Sequence, residues 1–254
     1  MLLKINNISK HFIGLKALDD ISFEVKEHEI FSVIGPNGAG KTTFFNVLSG
    51  IYAPSSGEII FAGENISNLP PHEIAGKGIS RTFQNLRLFP HMTVLENILS
   101  GTFVRNSYTL IDAILRTRRY RENENTDISY ASYIADLVGI DGRDNELAKN
   151  LAYGDQKKLE IARALAGKPQ LLLIDEPAAG MNPKETEEVA SLIKKINSMG
   201  ITIILIEHDM KLVMNISNNI AVLDYGVKLA QGSPQEIKSN PKVIEAYLGS
   251  THYA

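Results

Sequence analysis

Gly35-Pro36-Asn37-Gly38-Ala39-Gly40-Lys41-Thr42 follows the apolar run Ile30–Ile34 and precedes a segment, 42–48, that reads as a helix ending at Gly50. The octet fits G-x-x-x-x-G-K-[ST], and a strand before it with a helix after it is the context that pattern needs. Glycines let successive backbone N–H groups turn inward around phosphate oxygens, and the start of a helix adds the positive end of its dipole. Lys41 is long enough to reach the β- and γ-phosphates, and the Thr42 hydroxyl suits Mg²⁺. The eight residues, with Thr43 behind them, therefore predict a nucleotide site at the end of a buried parallel strand.

A triphosphate–Mg²⁺ site also needs a carboxylate for the metal and a group to position water. Leu171-Leu172-Leu173-Ile174-Asp175-Glu176 supplies both from the end of a second apolar strand, where ligands bind in open α/β sheets. Asp175 is expected to complete the Mg²⁺ shell, and Glu176 to act as general base toward water. A third apolar run, 201–206, ends in Glu207-His208-Asp209. His208 there could contact the γ-phosphate or order the attacking water. Between the last two runs, Asn182, Pro183 and Glu185 read as N-cap, N1 and N3 of a helix, resembling a capping box, and Gly200 stops that helix.

Farther out, Ile21, Phe23 and Val25 alternate with Ser22 and Glu24, a half-buried strand pattern, so 2–33 reads as β-rich. Residues 86–160 carry helical patterns and the basic run Arg116-Thr117-Arg118-Arg119-Tyr120-Arg121, read as a solvated helix face. Strands alternating with helices argue for an α/β fold with a parallel core.

The chain of 254 residues has 26 Lys and Arg against 29 Asp and Glu, a net charge of −3, which argues against a polybasic nucleic-acid binder. It has no cysteine, so disulfides, thiolate zinc sites and cysteine nucleophiles are excluded. No apolar run reaches the length of a membrane span. No Ser-His-Asp hydrolase motif is present, and the histidines show no metal spacing.

The order of these motifs resembles that of the ATP-binding subunits of ABC transporters, over essentially the whole chain from about residue 2 to Gly249. The resemblance implies roles for further residues. Phe12, in Lys10-His11-Phe12, falls where that family stacks an aromatic on adenine. Gln84, in Arg81-Thr82-Phe83-Gln84, matches the glutamine that touches Mg²⁺ and relays state to the membrane subunit. Leu151-Ala152-Tyr153-Gly154-Asp155-Gln156 matches the signature LSGGQ imperfectly. In the family this loop, here Ala152, Tyr153, Gly154 and Asp155, acts in trans on ATP held by the opposite subunit. Ala152 lacks the usual hydroxyl, Asp155 brings a carboxylate where Gln is usual, and Asn182 replaces an Asp.

Within the family, the segments from Arg81 to Phe89, Glu176 to Thr186, Ile206 to Met214 and the tail Ala246-Tyr247-Leu248-Gly249 look like one ATPase subunit of branched-chain amino-acid importers. The implied fold is a P-loop ABC ATPase with a parallel core, an N-terminal antiparallel β subdomain (both within 1–85 and 161–254) and a helical insert at 86–160. The implied cofactors are ATP and Mg²⁺. The implied partners are a second ABC ATPase subunit, identical or paralogous, two membrane-spanning permease subunits, and indirectly a solute-binding protein, with no nucleic acid. The implied location is peripheral, on the cytoplasmic face of the inner (plasma) membrane. Other readings are an ABC ATPase for urea uptake or for lipopolysaccharide or lipid export, and a regulatory nucleotide-binding module without turnover.

Overall fold

The computed structural model describes residues 1–84, 86–105, 112 and 117–249. In chain order its elements are β1 (Leu3–Phe12), β2 (Leu15–Val25), β3 (Ile30–Ile34), α1 (Lys41–Leu48), β4 (Ser56–Phe61), β5 (Glu64–Asn65), α2 (Pro71–Gly76), β6 (Ile79–Arg81), α3 (Val94–Thr102), α4 (Arg118–Val138) and α5 (Tyr153–Ala166). They continue as β7 (Leu171–Asp175), α6 (Pro183–Ser198), β8 (Thr202–Ile206), α7 (Met210–Ile216), β9 (Asn219–Asp224), β10 (Val227–Gly232), α8 (Pro234–Ser239) and α9 (Pro241–Gly249). The chain divides into two compact units, Met1–Ile79 with the chain from Gln170 onward, and Ser80–Pro169.

The first unit holds two sheets. One is antiparallel, in the order β2-β1-β4-β5. Its β2 buries Ile21, Phe23 and Val25 and turns Glu24 outward, as the alternation requires. The other runs β10-β9-β3-β8-β7 and ends at β6, in which the chain leaves this unit. The pairs β3–β8, β3–β9 and β7–β8 are parallel, and every residue of β3, β7 and β8 is buried. Strands covered on both faces need near-continuous apolar sequence, which Ile30–Ile34, Leu171–Asp175 and Thr202–Ile206 supply but for Ser32, Asp175 and Thr202. The core joins the sheets and α1. The Phe23 ring lies 4.9 Å from Phe31 and 5.2 Å from Phe44, all three buried. Each such side chain contributes about 2 kcal/mol by leaving water.

α6 begins as the sequence implies. Asn182 Oδ1 accepts from the backbone N–H of Lys184 and Glu185 at 3.0 and 3.1 Å, and Glu185 Oε2 accepts from Asn182 N–H at 2.8 Å.

The second unit is helical: α3, α4 and α5 pack against one another. α3 opens with a capping box between Thr93 and Glu96. α4 is capped by Thr117, and Arg118 on its first turn is exposed and paired with Glu122 at 2.7 Å. Arg118 and Arg121 thus lie in water as a solvated face; Arg116 and the side chain of Arg119 lie outside the described residues, as does Asn85.

This unit spans Ser80–Pro169 rather than 86–160. The physical reason is a clamp. Glu160 Oε1 accepts from Phe83 N–H at 3.1 Å, Lys157 Nζ donates to the Gln84 carbonyl at 3.0 Å, and the Arg163 guanidinium donates to the Arg87 carbonyl at 2.5 Å. Three charged side chains of α5 bind the Gln84 segment to the helices. Among the described residues no helix is long and apolar enough to cross a membrane.

Candidate nucleotide site

The register of the parallel strands builds the site. Ile206 pairs with Val33 on one side and with Asp175 on the other. The C-terminal ends of β3, β8 and β7 therefore finish side by side at one edge of the sheet. The phosphate loop, His208, and the Asp175-Glu176 pair all emerge there, where an open α/β sheet accepts ligands.

The loop between β3 and α1 is shaped by close approach. A Cβ on Gly35 would lie 2.1 Å from the Leu223 carbonyl oxygen, and one on Gly40 would lie 2.6 Å from that of Ala17. Only glycine fits at either position, and Gly40 also sits at φ +99° as the residue before α1. That N-terminus has no side-chain cap from its N-cap residue, Gly40, and no acid in its first turn. Asn37, Gly38 and Thr42 are exposed, Pro36 and Thr43 are half-buried, and Ala39 is buried.

Lys41 is buried, and its ammonium donates to the carbonyls of Gly35 at 2.6 Å and Pro36 at 2.9 Å. Burial pushes this ammonium below its ordinary value of 10.5, while the carboxylates of Glu176 and Asp175 pull it back up. From the C-terminal helix α9, the Tyr247 hydroxyl meets the loop. Burial pushes it up to about 12, against the pull of the Gly35 backbone amide.

Asp175 is buried at the end of β7. Glu176 follows with φ at 47°, a left-handed backbone that costs a non-glycine residue on the order of 1–3 kcal/mol. Its N–H donates to the Ile206 carbonyl at 2.9 Å, which holds the turn in that conformation. Across the edge, the His208 side chain is mostly exposed, and its Nδ1 lies 3.3 Å from Glu207 Oε2. Phe12 closes β1 with its ring edge-on to Tyr52 at 5.3 Å and beneath the Lys10 ammonium, also at 5.3 Å. It is a surface aromatic, 39% exposed, rather than a core one.

Gln84 and the signature segment belong to the second unit, where the clamp already described joins Lys157 of α5 to the Gln84 carbonyl. Ala152 is the N-cap of α5 and offers no side-chain hydrogen bond; Tyr153 is exposed and Gly154 follows in the first turn. Asp155, also in that turn, accepts from Arg143 at 2.8 Å and lies 3.7 Å from the Lys158 ammonium. Two cations thus balance the carboxylate that departs from the family pattern. Burial raises the Glu160 carboxyl, against the hydrogen bond from Phe83 and the charge of Lys157.

Sequence reasoning missed Glu160, Glu207 and Tyr247 as parts of this architecture. Each acts on a backbone group far away in sequence, and no local pattern marks Glu160 or Tyr247. For Glu207 one signal was present: an acid directly after four apolar strand residues is either exposed or held by donors.

The family model described as ABC transporter matches residues 18–179, and a second, described as branched-chain amino acid ATP-binding cassette transporter, matches 227–253. The chain is 47% identical to the high-affinity branched-chain amino acid transport ATP-binding protein LivG of Salmonella typhimurium, with 98% of each chain covered. It is similar to the solved ADP conformation of MJ1267, an ATP-binding cassette of an ABC transporter, with a TM-score of 0.85, 32% identity and 98% of each chain covered. It is also similar to the dimeric, post-hydrolysis cassette MJ0796 bound to ADP and Pi, with a TM-score of 0.76, 25% identity, and 92% of this chain and 99% of that one covered. A phosphate loop, an acid pair at the same sheet edge, and these matches along nearly the full length lead to one conclusion: the chain belongs to the ABC transporter family, as an ATP-binding, ATP-hydrolysing cassette.

Proposed function

We propose that this chain drives the import of branched-chain, hydrophobic amino acids by hydrolysing ATP on behalf of separate membrane subunits. One observation carries the choice of substrate: the full-length likeness to LivG extends into the C-terminal segment, where the branched-chain transporter model matches 227–253. Two cassettes, identical or paralogous, close head to tail. Ala152, Tyr153, Gly154 and Asp155 of each face the nucleotide on the other. Two permease subunits take up the motion through the Gln84 segment, and a solute-binding protein delivers the amino acid to them. The cassette works at the cytoplasmic face of the membrane.

In the reaction, the amides of residues 35–43 and Lys41 spread the charge of the β- and γ-phosphates, which is most of what catalysis of phosphoryl transfer requires. Lys41 exchanges its two loop carbonyls for phosphate oxygens. Glu176 takes the proton from water as it attacks, His208 steadies the γ-phosphate, and Phe12 stacks on adenine. Among the described residues no group of three or more His, Cys, Asp or Glu forms a metal cage. Mg²⁺ needs none, since one or two protein oxygens with phosphates and water suffice. The hydroxyl of Thr42, the carboxylate of Asp175 and the amide oxygen of Gln84 fit as hard donors. The ion would neutralise charge on the terminal phosphates.

The test is reconstitution of the chain with its permeases in lipid vesicles. ATP turnover should rise when leucine-loaded binding protein is added. Stimulation by urea or by lipid, with leucine inert, would assign the cassette to another transporter.

A further inference from the structure

We propose that Glu207 is a positioning residue for hydrolysis, whose buried carboxylate holds the turn bearing Glu176 in register with His208. The proposal rests on the roles given above to Glu176 and His208.

Glu207 stands directly after β8 and is fully buried. A carboxylate in that position costs several kcal/mol unless donors surround it. An apolar residue continuing Thr202–Ile206 would carry no such cost. The donors are present, and where they come from is informative. Oε1 accepts from the backbone N–H of Ala178, in the turn after β7, at 3.0 Å. Oε2 accepts from His208 N–H at 2.7 Å and Asp209 N–H at 3.3 Å, and lies 3.3 Å from His208 Nδ1. One side chain thus binds two segments, the Glu176 turn through one oxygen and the His208 loop through the other.

The backbone supplies the second fastening. Glu176 N–H donates to the Ile206 carbonyl at 2.9 Å, and Ala179 N–H closes the turn on the Glu176 carbonyl at 3.3 Å. Glu176 itself holds a left-handed φ of 47°. A residue in such a conformation keeps it only while its surroundings dictate it. Losing the Ala178 contact frees the turn on one side, so the Glu176 carboxylate drifts relative to His208. The backbone groups of Ala178, His208 and Asp209 that meet Glu207 are all N–H donors. An ionised carboxylate satisfies all three, whereas an amide has one oxygen and one NH₂. Glutamine can therefore serve the Ala178 side or the His208 side, but not both.

The experiment measures MgATP hydrolysis by the full chain, with Glu207→Gln, Glu207→Ala, Glu176→Gln and the double variant E176Q/E207Q. Misplacing a reacting group by about 1 Å costs roughly 10²-fold. Accordingly kcat should fall about 10²-fold in Glu207→Ala and about tenfold in Glu207→Gln. KM, and ATP affinity by calorimetry, should stay within about twofold, because both oxygens are engaged by backbone N–H groups. The double variant should be no slower than Glu176→Gln, since residues acting as one unit do not add. Where complete removal of the carboxylate unfolds the chain, the isosteric Glu207→Gln carries the comparison. Three results would overturn the proposal: kcat within twofold of wild type in Glu207→Gln, a loss confined to KM and affinity, or losses that multiply in the double variant. Wild-type turnover in Glu176→Gln would instead remove the role of Glu176, and this proposal with it.

Discussion

The helix after the phosphate loop and the helix after Asn182 begin in opposite ways. α6 has its first amides taken by Asn182 Oδ1 and a glutamate in its first turn. α1 has a left-handed glycine before it, no side-chain cap and no acid. The signature helix α5 sits between these extremes, with no cap at Ala152 but with Asp155 in its first turn, tied to Arg143 and Lys158. A structural helix satisfies its own N-terminus, and gains about 1 kcal/mol by doing so. A helix that binds phosphate leaves that end open for the ligand and forgoes the stability.

The largest expected effect breaks the chemistry and spares the binding. Glu176→Gln should lower hydrolysis by about 10²–10⁴-fold, the range for losing a general base, while ATP affinity by calorimetry is retained. Turnover near wild type would contradict the role of that turn.

Next comes the open helix end itself. Lys41→Met keeps the side chain's length and removes its charge, and ATP affinity should fall at least tenfold. The same change should leave the melting temperature of the nucleotide-free chain unaltered or higher. The sign follows from burial. Lys41 releases its proton at a lower pH folded than unfolded. Its charge therefore costs stability at neutral pH. As pH rises through the lowered folded value toward the ordinary 10.5, this cost disappears, because the unfolded chain holds a proton the folded one has lost. A marked drop in melting temperature for Lys41→Met would mean that the lysine is structural.

Asn182→Ala should show the converse pattern. It should cost about 1 kcal/mol, read as a lower midpoint in thermal or urea unfolding, with ATP affinity unchanged. A loss of affinity there would erase the distinction between capped and open helices. The smallest effect belongs to Asp155→Asn. Ion pairs near the surface are worth less than about 1 kcal/mol, so stability should barely move. Hydrolysis should not slow, because the cations that balanced the acid remain beside the signature loop.

What was legible in the sequence was whatever a short window contains. The octet 35–42 shows its strand, turn and helix at once, because glycine spacing and backbone geometry are local. The cap at Asn182 and the three buried strands are legible for the same reason. The edge where β3, β7 and β8 converge was legible from a general rule about parallel sheets. The parts that stayed hidden depend on partners far apart in the chain. Glu160 reaches Phe83 across 77 positions, and Glu207 reaches Ala178 across 29. Nothing in LEIAR announces a backbone amide brought there by tertiary folding, and LIEHD signals at most that its acid needs donors, not where they come from. The same long-range clamp explains why the helical unit begins at Ser80, before the Gln84 segment, where texture alone suggested residue 86.

The central claim is that the uncapped start of α1, with Lys41, holds the terminal phosphates of a nucleotide. Calorimetric titration of MgATP into the purified wild-type chain and into Lys41→Met tests it directly. Saturable binding by the wild type that Lys41→Met weakens at least tenfold is the expected result. No binding by the wild type, or equal binding by both, would contradict it.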